Sequence, residues 1–115
     1  MSSRPSRCGR SPARSATVPV HAAAVRFDLR LPHSHSLKEK RAIIRPILEG
    51  CRNRFQVAAA EVDHQDAWQR AGLGVSAVSG TAGHLSQVLD QVERFVWSFP
   101  EVEVVDAERS WLEQV

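Results

Sequence analysis

Between residues 24 and 31 the chain alternates, with Val25, Phe27, Leu29 and Leu31 on one side and Arg26, Asp28 and Arg30 on the other. A period of two with one apolar face reads as a half-buried strand. "PHSH" interrupts it. Ser36 and Glu39 then have the Ser-x-x-Glu spacing of a capping box, so a helix is expected from Leu37. Leu37, Ile44, Ile47, Leu48 and Cys51 recur at helical spacing, and Lys38, Lys40, Arg41, Arg45, Arg52 and Arg54 make the other faces basic. Pro46 removes one backbone donor inside this segment and predicts a kink. "FQVAAAEV" and "RAGLGVSAVS" read as a second and a third strand, joined by a hairpin through "DHQDAWQ". After Thr81, the residues Leu85, Val88, Leu89, Val92, Phe95, Val96 and Phe99 fall within a helical arc of ~120°. Pro100 stops that helix, and "EVEVVDAER" supplies a fourth strand.

The order β-α-β-β-α-β is the split βαβ pattern. It predicts an α+β ferredoxin-like sandwich, a four-stranded antiparallel sheet with two helices on one face. Residues 20–115 are expected to form this single domain, because 115 residues suffice for one core and not for two. "MSSRPSRCGRSPARSATVP" has no periodic apolar set and reads as a disordered Arg/Ser-rich tail. Its readings are an arginine arm that holds nucleic acid by counterion release, a dispensable extension or start-site artefact, or a stretch like an organellar transit peptide.

Composition is that of an ordinary globular protein, at 43% hydrophobic and 24% charged. The net charge of +2 hides an uneven distribution. Residues 21–60 carry eight basic and three acidic residues, whereas residues 61–115 carry three basic and ten acidic. The two cysteines, Cys8 and Cys51, make no disulfide framework, which favours a reducing compartment. With no apolar run of membrane-spanning length and no secretory h-region, the expected location is cytoplasmic, with no membrane partner.

In the expected topology three connections share one end: "PHSHS", the "DHQDAWQ" hairpin and the turn at Pro100. His33, His35, Asp63, His64 and Asp66 would therefore meet there. One reading is a metal or acid–base site, since imidazoles and carboxylates do that chemistry. The other is structural, with the aspartates accepting loop amides and the histidines capping a turn. The spacing matches no zinc motif, so no metal and no cofactor is assigned. Arg70 either clamps a phosphate or pairs with Glu61 across the hairpin, the commoner arrangement. Trp68 either stacks on a base or lids the end of the core, the usual place of a large aromatic.

"LPHSHSLKEKR", "NRFQVAAAEVDHQDAWQRAGLGVSAVS" and "EVEVVDAER" together resemble the YlxP-like family of small bacterial proteins (domain of unknown function 503). The resemblance spans roughly Val20 to Leu112. It implies a ferredoxin-like fold and a gene neighbourhood often shared with translation initiation and ribosome-binding factors. It carries no enzymatic reaction. The matching motif is Ser36, Leu37, Lys38, Glu39, Lys40 and Arg41, then Glu61, Val62, Asp63, His64, Gln65, Trp68 and Arg70.

Three function classes follow. The first is a non-catalytic accessory factor for the ribosome or RNA, bound through Lys38, Lys40, Arg41 and Arg45 and through a loop surface of His35, Asp63, His64, Gln65, Asp66, Trp68 and Arg70. The open sheet face, expected to show Arg26, Asp28, Arg30, Gly72, Gly74 and Ser76, offers bases no aromatic platform, so such contact would be electrostatic. The second is a homo-oligomeric interaction module, using the small residues around Gly74 and an exposed Trp97 that could also fold back toward Trp111. The third, a metal-dependent enzyme at the His/Asp end, lacks a nucleophile–base–orienter set and a phosphate-cradling glycine loop.

Overall fold

A computed structural model of the chain describes residues 20–112. The tail of residues 1–19 lies outside the described residues, so its three readings stay as stated. The elements run β1 (His21–Arg30), α1 (Leu37–Phe55), β2 (Ala58–Asp63), β3 (Arg70–Ser79), α2 (Ala82–Trp97) and β4 (Glu103–Trp111). The strands form one antiparallel sheet in the order β2-β3-β1-β4, the ferredoxin-like arrangement.

Alternation along β1 decides which side is the core. Val25, Phe27 and Leu29 are fully buried beneath the helices, together with Leu73 and Val75 of β3. α1 contributes Ile44, Ile47 and Cys51 to the same layer, and α2 contributes Leu85, Leu89, Val92 and Val96. The helices approach closely where Gly50 leaves room for the ring of Phe95, which also stacks edge-on against Phe55 and Phe99. Burial also sets the chemistry of Cys51. Its thiol is pushed up to about 11, with neighbouring Arg52 only partly opposing the desolvation.

Both helix starts are capped as the sequence requires. The Ser36 hydroxyl accepts from Glu39 N at 3.1 Å, and the Thr81 hydroxyl accepts from His84 N at 3.3 Å. The reciprocal half of the first capping box is displaced by one residue, because the Glu39 carboxylate accepts from His35 N at 2.8 Å and not from Ser36 N. α1 runs as one continuous helix past Pro46, whose ring sits on the exposed face. Its C-cap, Gln56, adopts the left-handed conformation at φ 55° and donates its backbone N–H to Arg52 O. No helix among the described residues is long and apolar enough to cross a membrane.

Candidate functional site

The β2–β3 hairpin is organised around Lys40. On a helical wheel Lys40 falls between Ile47 and Cys51, at the centre of the apolar arc, so α1 drives its side chain inward. The expectation that Lys40 helps form a solvated basic face is therefore corrected: the residue is 1% exposed. Its ammonium donates to His64 O at 2.7 Å, Ala67 O at 2.8 Å and Arg70 O at 3.1 Å. Glu61 Oε2 sits 2.7 Å from the same nitrogen. Three protons serve three carbonyls, so Glu61 supplies countercharge while its buried Oε2 receives no hydrogen bond of good geometry. An uncompensated buried ammonium would cost several kcal/mol, and this set of four oxygens is what makes its burial tolerable.

Further bonds fix the hairpin from the other side. Gln69 Nε2 donates to Pro32 O at 3.4 Å and Ser34 O at 3.2 Å, and Gln69 O accepts from Leu31 N at 2.9 Å. The β1–α1 loop and the hairpin tip are thus tied together, which places His33 and His35 beside the tip. The register of Arg30 with Glu103 brings the start of β4 to the same end. Trp68 is not the lid of the core that its size led us to expect. Its backbone lies between two anchored residues, and the residue is 55% exposed.

Asp63, His64 and Arg70 go to the open sheet face, where β1 supplies their partners. Arg26 Nη2 meets Asp63 Oδ2 at 2.6 Å, and Arg70 Nη2 reaches both Asp28 oxygens at 3.0 and 2.9 Å. His64 Nε2 stands 3.9 Å from Asp28 and 3.9 Å from Asp63. The expected Arg70–Glu61 pair does not form, because Arg70 lies on the open face and Glu61 is drawn inward to Lys40. His64 holds φ 59°, an uncommon conformation for a residue with a side chain. Asp63 Oδ1 accepts from its N–H at 2.8 Å, and Lys40 holds its carbonyl. That same N–H is the chief reason the Asp63 carboxyl lies below its ordinary range, with His64 and Arg26 adding to it.

Gly72 and Gly74 have an internal role that sequence reasoning missed. A bulge in β2 between Glu61 and Asp63 swings side chains back across β3. A Cβ at Gly72 would lie 2.7 Å from Asp63 Cβ, and one at Gly74 would lie 3.0 Å from Val62 Cγ1. The space expected to admit another sheet is occupied by β2 itself. Asp28 and Arg26 were likewise missed as partners of the hairpin, Gln69 as its tie to the β1–α1 loop, and Glu61 as the partner of Lys40. The register of β1 against β3 would have exposed the first two, and the wheel position of Lys40 signals the need for a buried acid.

The outer surface of α1 is different. Lys38, Arg41, Arg45 and Arg52 fall within ~60° of one another on the wheel and run ~21 Å along the axis. Arg52 is committed, donating to Ala59 O at 3.1 and 2.6 Å and so covering the outer edge of β2. Lys38, Arg41 and Arg45 are exposed, and none has an ion-pair or hydrogen-bond partner among the described residues. Gln65 and Asp66 are exposed at the tip, where Gln65 Nε2 donates to Glu61 O at 3.3 Å. Among the described residues no group of three or more His, Cys, Asp and Glu side chains is assembled to hold a metal ion.

Trp97 is 62% exposed and Trp111 is 45% exposed. Arg109 of β4 docks on Asp90 at 2.6 Å and Glu93 at 2.7 Å. From that contact Trp97 lies farther up α2, and Trp111 lies farther along β4 in the opposite direction. Trp97 and Trp111 make no ring contact with each other, and the segment beyond Leu112 lies outside the described residues.

The profile of a family described as "Protein of unknown function (DUF503)" matches residues 22–109, which includes the hairpin and most of β1 and β4. The chain belongs to this family. It is 41% identical over 76 residues to "Uncharacterized protein YlxP" of Bacillus subtilis (strain 168), a match covering 66% of this chain and 83% of that relative. In three dimensions it resembles the "De novo designed protein Foldit4" with a TM-score of 0.54 at 12% identity, covering 84% of this chain and all of the other. That likeness concerns the fold alone.

Proposed function

We propose that this DUF503 protein is a non-catalytic accessory factor that binds RNA, in a ribosomal or translational setting, through the outer stripe of α1. The observation that carries the reading is that Lys38, Arg41 and Arg45 are exposed on one face and have no partner within the described chain. Cations without an internal role remain available to phosphates, whose counterions they release. Three such contacts give a modest, salt-dependent affinity, with a slope of about −2 in log K against log salt on a single strand. The test is co-sedimentation of the full chain with ribosomal subunits at low and moderate salt. It is run beside a variant carrying Lys38→Glu, Arg41→Glu and Arg45→Glu. The wild type is expected to co-sediment at low salt and the variant to stay at the top of the gradient. Absence of wild-type binding at either salt would sink the reading.

A second reading, self-association, draws on a separate observation. The far half of the open sheet face is apolar, with Ala22, Ala24, Ala58, Val78 and Leu112 around a hollow of about 590 Å³, and Val78 is 73% exposed. Light scattering with Val78→Lys would reveal it as a loss of dimer mass.

A further inference from the structure

Single-stranded binders need a flat ring to receive a base as well as cations to follow the backbone. The open sheet face provides no such ring, since its central positions carry Arg26, Asp28, Gly72 and Gly74. The loop end does. Trp68 is more than half exposed, yet its backbone is immobilised on both sides. Lys40 holds the carbonyl of Ala67, and Gln69 is tied to the β1–α1 loop. An indole presented this way loses little backbone freedom when it meets a ligand.

The cationic stripe begins at the same end of α1. Lys40 reaches the residue before Trp68 from the inner side of the first turn of α1, and Lys38, two residues earlier on that turn, opens the outer stripe. Arg41 and Arg45 then continue down the helix at axial steps of ~4.5 and ~6 Å. From this juxtaposition, and resting on the α1 reading above, we infer that the ligand is single-stranded RNA. An unpaired base stacks on Trp68, and the adjoining phosphates run along Lys38, Arg41 and Arg45. A duplex fits less well, because its base faces are hidden and it would leave the indole in water. Asp66, exposed at the same tip, repels phosphate.

The experiment uses the full chain with Trp97→Phe and Trp111→Phe, so that Trp68 is the only tryptophan left to report. Labelled single-stranded RNA of about twelve nucleotides, within the usual site size, is titrated beside a duplex of equal length at the same salt. The single strand is expected to quench Trp68 fluorescence. Trp68→Ala should weaken that binding by about tenfold while Trp68→Phe retains most of it, and duplex binding should be unchanged by either. Unchanged single-strand affinity in Trp68→Ala, or an equal loss on the duplex, overturns the inference. If both RNAs bind and only the α1 charge reversals matter, the α1 reading stands without this one. If neither RNA binds the wild-type chain, both fall together.

Discussion

The two sides of α1 use positive charge in opposite ways. On the inner side Lys40 gives its charge wholly to the protein, to three carbonyls and Glu61 at 2.7–3.1 Å. On the outer side Lys38, two residues earlier, gives its charge to nothing within the described chain, and neither do Arg41 and Arg45. Arg52 belongs to the outer stripe by angle and to the inner class by use, since it caps the β2 edge. A count of basic residues treats all of these as one surface. Only those without an internal task can serve a partner at no cost to the fold.

The sharpest way to break the contrast is Lys40→Met. It orphans three hairpin carbonyls and leaves the partly buried Glu61 without its countercharge, so the expected loss is about 3–5 kcal/mol in urea unfolding. Amides of the hairpin should lose hydrogen-exchange protection first. Adding Glu61→Gln to that variant should recover part of the loss, which gives a coupling energy for the pair. A loss below about 1 kcal/mol would mean that the hairpin does not depend on this ammonium.

Gly72→Ala probes the other support of the hairpin. Its new methyl would press on Asp63 where β2 bulges, and overpacking of this kind costs about 1–3 kcal/mol. Arg52→Ala is expected to cost about 1 kcal/mol for its bonds to Ala59 O. A purely decorative Arg52, like its neighbours on the stripe, would leave the urea midpoint unmoved.

Acid tests the open face through Asp63. Asp63 has its pKa lowered in the folded state, mainly by the His64 N–H, from an ordinary value of 3.8. A lowered carboxyl pKa adds stability that is complete above the unfolded value and disappears as pH falls through the folded one. The Asp63 contribution therefore begins to fall near pH 3.8 and is lost at lower pH, through the folded value, and Asp63→Asn should flatten that limb of a stability–pH profile. Carboxylate chemical shifts would show a midpoint below 3.8, and a midpoint at or above it would deny the bond to His64.

The periodicity of Val25–Leu31 and of Leu85–Phe99 made the strands and helices readable, and the Ser36 capping box marked where the first helix begins. Strand order followed from the β-α-β-β-α-β succession. The site was less readable because its partners come from register and not from spacing. Nothing along the sequence says that Arg70 will face Asp28 across β1, or that a bulge will move Asp63 over Gly72 and free Glu61 for Lys40. Trp68 was misread because its size favours burial, whereas it sits at the exposed hairpin tip between two anchored residues. Lys40 is the exception. Its place between Ile47 and Cys51 was legible, and grouping it with the other cations obscured it.

The smallest expected effect on stability belongs to the outer stripe, and it is the decisive one. Reversal of Lys38, Arg41 and Arg45 to Glu breaks no bond within the described chain and introduces no apolar surface. Each change should therefore stay within about 0.5 kcal/mol of wild type. The same changes should abolish co-sedimentation with ribosomal subunits. If the triple variant loses several kcal/mol, these side chains have internal work and the division of α1 into two sides fails. If stability and binding are both unchanged, the division survives, but the outer side is only a solvated surface. The combination of unchanged stability and lost binding separates an interface from a scaffold, and no reversal at Lys40 could show it, because that charge supports the fold.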